Sequence, residues 1–310
     1  MPTIVTFASG KGGVGKSVTV CNLGLALATL GRDVVIADFD LGGGNLETLF
    51  GAFESGPSLD QFLNREVEKL ENVVRPIRPN LSLISGAGES YATANPNWAM
   101  KKRLLRQLGQ LEAEIVLVDV GAGAGSHALD FFCAGDLRVV VTLPEPTASV
   151  DAYRFLKLAN VRESATLISS KNPARRLLER SDPERVQDVW ETLKVEEVDL
   201  PRANAPLVVL NQATASRQSF ERLRHVSRRF LGNDLELLGE VPTDSAVRSS
   251  VAEFLPVLEG APSSEAAGSF RAIAVKLDEK VRALSKTKKG SAGDLPDLGD
   301  LLSDSATPSV

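Results

Sequence analysis

Short apolar segments alternate with segments of helical periodicity along most of the chain. The clearest helical segment, 16–30, directly follows the first apolar one. Strands that are apolar on both faces and separated by helices are typical of a parallel sheet covered by helices on both sides. The pattern therefore predicts an α/β fold: one domain with a doubly wound, mostly parallel sheet flanked by helices. The predicted strands are 3–8, 33–38, 81–85, 115–118, 138–142, 206–210 and 237–241.

Two segments depart from this alternation. Residues 163–205 are rich in charge, and Asp182-Pro183-Glu184 within them is typical of a helix start. The residues from 286 onward are rich in glycine, aspartate and serine, a composition that disfavours a packed core. We therefore expect a domain over 1–285 with a helical insertion at about 163–205, followed by a disordered acidic tail over 286–310.

Composition narrows the class of protein. The chain has 310 residues, 43% of them apolar, and a formal net charge of −5, which gives no global attraction to nucleic acid or anionic lipid. Its two cysteines lie in unlike contexts and indicate neither a disulfide framework nor a zinc site. Neither a signal peptide nor a membrane-spanning segment is predicted. The expectation is a cytoplasmic protein.

A phosphate-binding motif stands at the first strand-to-helix junction. The sequence Gly10-x-x-x-x-Gly15-Lys16-Ser17 follows a predicted strand and opens a predicted helix, which is the context that a P-loop requires. Its backbone N–H groups and the helix N-terminus can converge on phosphate oxygens. Lys16 is expected to reach the β- and γ-phosphates, and the Ser17 hydroxyl to ligate Mg²⁺.

A second lysine, Lys11, lies within the same loop. The stretch Lys11-Gly12-Gly13-Val14-Gly15-Lys16-Ser17 resembles the deviant Walker A motif of the MinD/ParA ATPases. The resemblance implies that Lys11 crosses a dimer interface to the partner's nucleotide and stabilises charge on the transferring phosphoryl group. It also implies ATP or ADP as ligand, Mg²⁺ as cofactor and an ATP-dependent homodimer. The implied nucleotide-binding residues of the loop are Gly10, Lys11, Gly12, Gly13, Val14, Gly15, Lys16, Ser17 and Val18.

Carboxylates follow two of the predicted strands. Asp119 comes after an apolar run, as a Walker B aspartate does, and is expected to join Ser17 at the Mg²⁺ site. By resemblance, Asp40 orients the attacking water and completes the metal set, and it forms the catalytic group together with Lys11 and Lys16. Asp38 either supports Asp40 or only caps the following turn. The glycine-rich loop 121–125 is predicted to be a switch that senses the γ-phosphate.

Base recognition is expected at the end of a later strand. Asn211 offers a donor and an acceptor that match the N6 and N7 edge of adenine, and the NKxD pattern of guanine-specific proteins is absent. ATP is therefore favoured over GTP. By resemblance, the loop at Pro242 closes over the base, and the loop at Glu145 lies at the dimer interface near the nucleotide.

Within the MinD/ParA family the chain is most similar to the FlhG-like group of flagellar-number regulators, also called FleN or YlxH. The motifs are residues 38–46 (DFDLGGGNL), 119–123 (DVGAG), 144–148 (PEPTA) and 238–244 (LGEVPTD). Three features differ from the group. Val18 stands where many members have threonine, no DQAxxLR-like segment precedes the P-loop, and the insertion at 163–205 has no counterpart.

The implied function is an ATP-hydrolysing dimerisation switch in the spatial or numerical regulation of a cell structure, with flagella as the first candidate. It would act with an unidentified protein partner or cargo, through which it could be recruited to a pole or to the membrane. Direct membrane binding is not favoured, because the apolar stripe over 270–284 is expected to dock on the core. Nonspecific DNA binding through arginines at 217–229, as in a ParA-like positioning ATPase, stays an alternative that is not favoured.

Two further alternatives concern the chemistry. A nucleotide-dependent scaffold that does not hydrolyse ATP is disfavoured by the presence of Lys11 and Asp40. An iron–sulfur reductase with a bridging cluster needs two cysteines from each subunit, and Cys21 is expected to be buried, which leaves only Cys133.

Overall fold

One eight-stranded sheet organises the chain in the computed structural model, which describes residues 1–41, 43–44, 46–53, 56–86, 93, 95–167, 205–213, 218–232 and 234–290. The strand order is β3-β4-β2-β5-β1-β6-β7-β8. All described neighbours pair in parallel except β3 and β4, which are antiparallel. The predicted doubly wound α/β fold is confirmed.

The bounds of the elements are as follows. The strands are β1 (Thr3–Ala8), β2 (Val34–Phe39), β3 (Arg75–Arg78), β4 (Leu81–Ile84), β5 (Ile115–Val120), β6 (Leu137–Thr142), β7 (Leu207–Ala213) and β8 (Glu236–Pro242). The described helices are α1 (Lys16–Thr29), α2 (Leu46–Leu49), α3 (Leu59–Leu63), α4 (Trp98–Leu108), α5 (Ser126–Cys133), α6 (Pro146–Leu167), α7 (Gln218–Leu231), α8 (Ser245–Ala252), α9 (Val257–Gly260) and α10 (Glu265–Gly290), with a 3-10 turn at Leu70–Val73.

The strands divide their side chains between two apolar cores. Along β1, Val5 and Phe7 enter a core that includes residues of α1 and α10, whereas Ile4 and Ala8 enter the opposite core with residues of α4, α5 and α6. Successive residues of a strand point to opposite faces, so an all-apolar strand packs on both sides. This covering by helices aligns the carboxyl ends of the parallel strands at one edge.

The predicted strands are all present, with bounds that differ by a few residues. The sequence pattern missed β3. This strand holds Arg75, Pro76 and Arg78, and proline and charge are typical of an edge strand, which pairs on one side only.

The long helix α10 docks on the core, as its apolar stripe predicted. Phe270, Ile273, Ala274, Leu277 and Val281 are all buried. No helix among the described residues has both the length and the apolar character needed to cross a membrane.

Both predicted segment boundaries fall inside helices. Residues 163–167 belong to α6, and residues 286–290 belong to α10. The rest of the expected insertion up to 204, and the expected tail from 291, lie outside the described residues.

Candidate nucleotide site

The loop between β1 and α1 has the backbone geometry of an anion cradle. Gly13 and Gly15 have φ of 78° and 81°, in the left-handed region that favours glycine. A Cβ on Gly10 would come within 2.3 Å of the backbone of Asp151, so the loop packs directly on α6. A Cβ on Gly12 or Gly13 would meet nothing within 4 Å. The loop is thus braced on one side and open on the other, which suits a phosphate chain.

Lys16 lies at the floor of this loop and is buried. Its Nζ donates to an oxygen of Asp119, which is buried in β5. Burial raises the pKa of Asp119, while Lys16 and hydrogen bonds from the side chains of Lys16 and Ser17 oppose that shift. The structure therefore brings Asp119 of β5 against Lys16 and Ser17 at the start of α1.

Asp38 braces the loop that carries Asp40. Its Oδ1 accepts from the backbone N–H of Asp40 at 3.0 Å, and its Oδ2 accepts from that of Leu46 at 3.1 Å. A Cβ on Gly44 would come within 2.8 Å of this carboxylate. Asp38 therefore caps the turn that carries Asp40, and whether it also supports Asp40 in catalysis stays a prediction.

The buried Asp38 carboxyl makes the stability of the nucleotide-free protein depend on pH. Burial, with Asp119 nearby, raises its pKa to about 7 from the usual 3.8. Between these values the folded state holds a proton that the unfolded state has lost, so stability falls as pH rises. We expect the unfolding temperature to fall between pH 5 and 7.5, by on the order of 5 °C, and Asp38→Asn to flatten this decline in a calorimetric pH series.

Asp244 provides the control with the opposite sign. Backbone N–H groups of Ala246 and Ala266 donate to its carboxylate and lower its pKa. Its contribution to stability is present above the ordinary aspartate pKa and is lost only in acid. Asp244→Asn should therefore leave the decline between pH 5 and 7.5 intact, and an equal flattening in both variants would contradict the assignment to Asp38.

The glycine-rich loop after β5 is bonded to the P-loop. The N–H of Gly123 donates to the carbonyl of Ser9 at 2.9 Å, and the Ser9 hydroxyl donates to the carbonyl of Lys11 at the same distance. A Cβ on Gly121 would lie 3.2 Å from Asp40. The predicted switch loop therefore connects the phosphate cradle with Asp40. No sequence pattern had singled out Ser9, which is a small polar residue at a strand end.

Lys11 lies on the outside of the cradle. Its Nζ is 3.4 Å from the Glu145 carboxylate, at the start of α6. The two side chains are 32% and 57% exposed. Unlike Lys16, Lys11 therefore has its side chain near the surface, where it pairs with Glu145 of the same chain.

Asn211 contacts the P-loop itself. Its Nδ2 donates to the carbonyl of Val14 at 2.8 Å, and a Cβ on Gly15 would come within 2.2 Å of that nitrogen. Pro242 ends β8, next to the end of β7. Both residues thus lie at the carboxyl edge of the sheet, and their roles toward the base stay predictions.

The backbone carbonyl of Val18, in the first turn of α1, accepts a hydrogen bond from the side chain of Asn22. The side-chain oxygen of Asn22, which is buried, accepts a second one from the N–H of Leu258.

The other groups considered as possible sites are metal-ligating side chains, the cysteines and the arginines of α7. Among the described residues, no three His, Cys, Asp or Glu side chains form a group that could hold a metal ion. Cys21 is buried, as predicted. In the arginine-rich helix α7, Arg224 pairs with Asp234 at 2.7 Å, while Arg217 lies outside the described residues.

Comparison with known proteins decides the family. The model of the CobQ/CobB/MinD/ParA nucleotide binding domain matches residues 5–257. The chain belongs to this family. The antiactivator FleN of Pseudomonas aeruginosa is 27% identical over 277 residues, which are 89% of this chain and 86% of FleN. The flagellum site-determining protein YlxH of Helicobacter pylori is 30% identical over 233 residues, 74% of this chain and 76% of YlxH.

A solved structure shows the same fold. The septum site-determining protein MinD of Pyrococcus horikoshii, complexed with Mg-ADP, superposes with a TM-score of 0.66 at 23% identity, over 92% of this chain and all of the MinD chain. The predicted membership in the MinD/ParA family, with likeness to the FlhG group, is confirmed. As a CobQ/CobB/MinD/ParA protein the chain has a nucleotide-binding domain, whereas the role of each site residue stays a prediction.

Proposed function

We propose that this protein is a Mg²⁺-dependent ATPase that forms a homodimer when it binds ATP and returns to the monomer after hydrolysis. The single observation that carries the proposal is the position of the two P-loop lysines. Lys16 is buried against Asp119, where it can serve the nucleotide of its own chain, while Lys11 has a partly exposed side chain on the outer side of the same loop. A cation at that position is suited to a phosphate bound by a second copy.

The proposed ligand fits the residues present. The open side of Gly12 and Gly13 leaves room for phosphates, and Lys16 can exchange its bond to Asp119 for one to a phosphate oxygen. Ser17, Asp119 and Asp40 supply oxygens for Mg²⁺, an ion that commonly binds through one or two carboxylates and the substrate phosphates and keeps several waters. When bound, Mg²⁺ would neutralise charge on those phosphates.

The remaining groups divide the chemistry among them. Asp40 would hold and orient the attacking water, with its loop fixed by the two hydrogen bonds to Asp38. Lys11 of the second copy would stabilise charge that develops on the transferring phosphoryl group. The hydrogen bond from Gly123 to Ser9 would couple the position of the loop after β5 to that of the P-loop.

The cellular role that we propose is control of the number or placement of flagella. Support comes from the two relatives above, one named for determining the flagellum site. Because the apolar stripe of α10 is buried in the core, we propose that the protein reaches its site of action through a protein partner rather than by inserting this helix into lipid.

The test is a measurement of mass and turnover on the purified chain. We expect a monomer without nucleotide and with ADP, a dimer with ATP and Mg²⁺, and slow release of phosphate that needs Mg²⁺. GTP should support neither the dimer nor turnover. A monomer in every condition would refute the dimerisation switch, and a stable ATP dimer without turnover would leave only a scaffold.

A further inference from the structure

The outer edge of β8 forms the floor of a groove. Strand β8 is last in the sheet order, and no described strand pairs with its outer side. Helix α7 forms one wall and helix α10 the other, and together they enclose a volume of about 640 Å³. We call this feature the edge groove. It lies three strands from β1 and is separate from the P-loop.

An edge strand offers a row of backbone N–H and C=O groups to an incoming chain. Beside it, Ala272 offers an exposed apolar contact on the α10 wall, while Phe220 on the α7 wall and Ile273 on the α10 wall are buried in the core. The two walls rise on either side of the strand, so a single extended segment can enter. A second copy would have to bring its own flanking helices into the same space, which disfavours pairing of β8 with β8.

The charges of the edge groove select the kind of segment. Of its acidic lining residues, Asp234 is paired with Arg224 at 2.7 Å and Glu236 with Lys280 at 2.6 Å. Two acidic lining residues, Glu221 and Glu240, then have no ion pair among the described residues. Of the two lining cations, Arg224 is taken up by Asp234, so that only Lys276 opposes them within the described residues.

Glu240 adds an unsatisfied group. Its Oε1 is buried and has no hydrogen-bond partner within the described part of the chain. A buried acceptor without a donor is costly, and a donor from a ligand would remove that cost.

We propose that the edge groove binds an extended segment of a partner protein, in which basic and apolar residues alternate, as a ninth strand of the sheet. Backbone hydrogen bonds to β8 would provide affinity, as in other cases of strand addition. A lysine or arginine of the segment would reach Glu240 and Glu221. Since alternate side chains of a strand point to opposite sides, its apolar residues would then face the other wall, at the exposed Ala272.

The test uses the full chain without nucleotide and a labelled peptide of eight residues with alternating lysine and valine, measured by fluorescence anisotropy. We expect saturable binding of one peptide per chain. Two matched peptides should fail to bind: one with glutamate in place of lysine, and one with proline in place of valine, which keeps the charge but loses backbone donors.

Variants locate the site. Ala272→Trp fills the groove from an exposed helix position, and Glu240→Lys reverses its charge, so each should weaken binding at least about tenfold. Glu71→Lys makes the same charge change near β3, at the opposite edge of the sheet, and should have no effect. Phosphate release by all three variants should equal that of the wild type, which separates this proposal from the proposed ATPase.

Three outcomes would overturn the proposal. The first is no binding of the lysine–valine peptide, as expected if a segment of this chain outside the described residues already fills the groove. The second is equal binding of the proline peptide, which would indicate attraction between charges without strand addition. The third is a nucleotide-free dimer that Ala272→Trp disrupts, which would assign the groove to a second copy.

Discussion

Asp40→Ala is expected to lower the rate of phosphate release by a factor of about 10²–10⁴, the usual range for losing a group that transfers or positions a proton. Binding of ATP should persist, because Lys16, Ser17 and the glycine backbone of the cradle are unchanged. A dimer that binds ATP but cannot hydrolyse it loses the hydrolytic route back to the monomer. The variant should therefore accumulate as a dimer with ATP and Mg²⁺, measured by light scattering during size-exclusion chromatography.

Two matched variants show whether the effect belongs to the Asp40 carboxylate. Asp40→Asn keeps the size of the side chain and removes its charge, so it should also form a persistent dimer. Asp38→Asn leaves Asp40 in place but weakens the brace formed by the Asp38 carboxylate. It should lower turnover less than Asp40→Ala does. Normal turnover in Asp40→Ala would exclude Asp40 as the residue that orients water.

The sequence predicted those parts of the molecule that depend on neighbours along the chain. The P-loop could be found because strand, glycines, lysine and helix follow one another within a short stretch. The sequence also placed Asp119 near the P-loop, although its bond to Lys16, 103 residues away, was not predicted. A parallel sheet brings strand ends to one edge, so aspartates at the ends of different strands become neighbours.

Contacts that depend on tertiary packing were not predicted. Asp130 accepts hydrogen bonds from Lys101 and, at 2.6 Å, from Arg162, which joins three helices through one buried carboxylate. Each of these residues alone reads as an ordinary helix surface position. Asn22 was missed for the same reason, because its partner Leu258 lies 236 residues away. Strand β3 was missed because its sequence, with proline and two arginines, is typical of an edge strand and lacks an apolar run.

Lys11→Ala is expected to abolish the ATP-dependent dimer and to reduce phosphate release at least about 100-fold, by analogy with a cation supplied in trans to a phosphoryl group. The substitution should leave nucleotide binding to the monomer nearly unchanged. Lys11 pairs with Glu145 at a partly exposed position outside the cradle, whereas Lys16 is buried at its floor. Fluorescent ADP binding and the mass of the ATP-bound state, measured on the same samples, separate these two effects.

Lys69 offers a matched control. It is a surface lysine in an exposed pair with Glu71 at 3.0 Å, and it is more exposed than Lys11, which also pairs with a glutamate. Exposed ion pairs contribute little to stability, so Lys69→Ala and Lys11→Ala should unfold at nearly the same temperature. Only Lys11→Ala should lose the dimer.

Glu145→Gln completes the comparison, because it breaks the pair within the chain but keeps the lysine. If the pair only holds Lys11 in the monomer, this variant should still dimerise with ATP. If Lys11→Ala kept both the ATP dimer and normal turnover, Lys11 would have only its bond to Glu145, and the dimer would need another explanation. The role of Lys11 toward the nucleotide of a second copy is therefore decided by one measurement: whether removing the Lys11 amine changes the mass of the ATP-bound state.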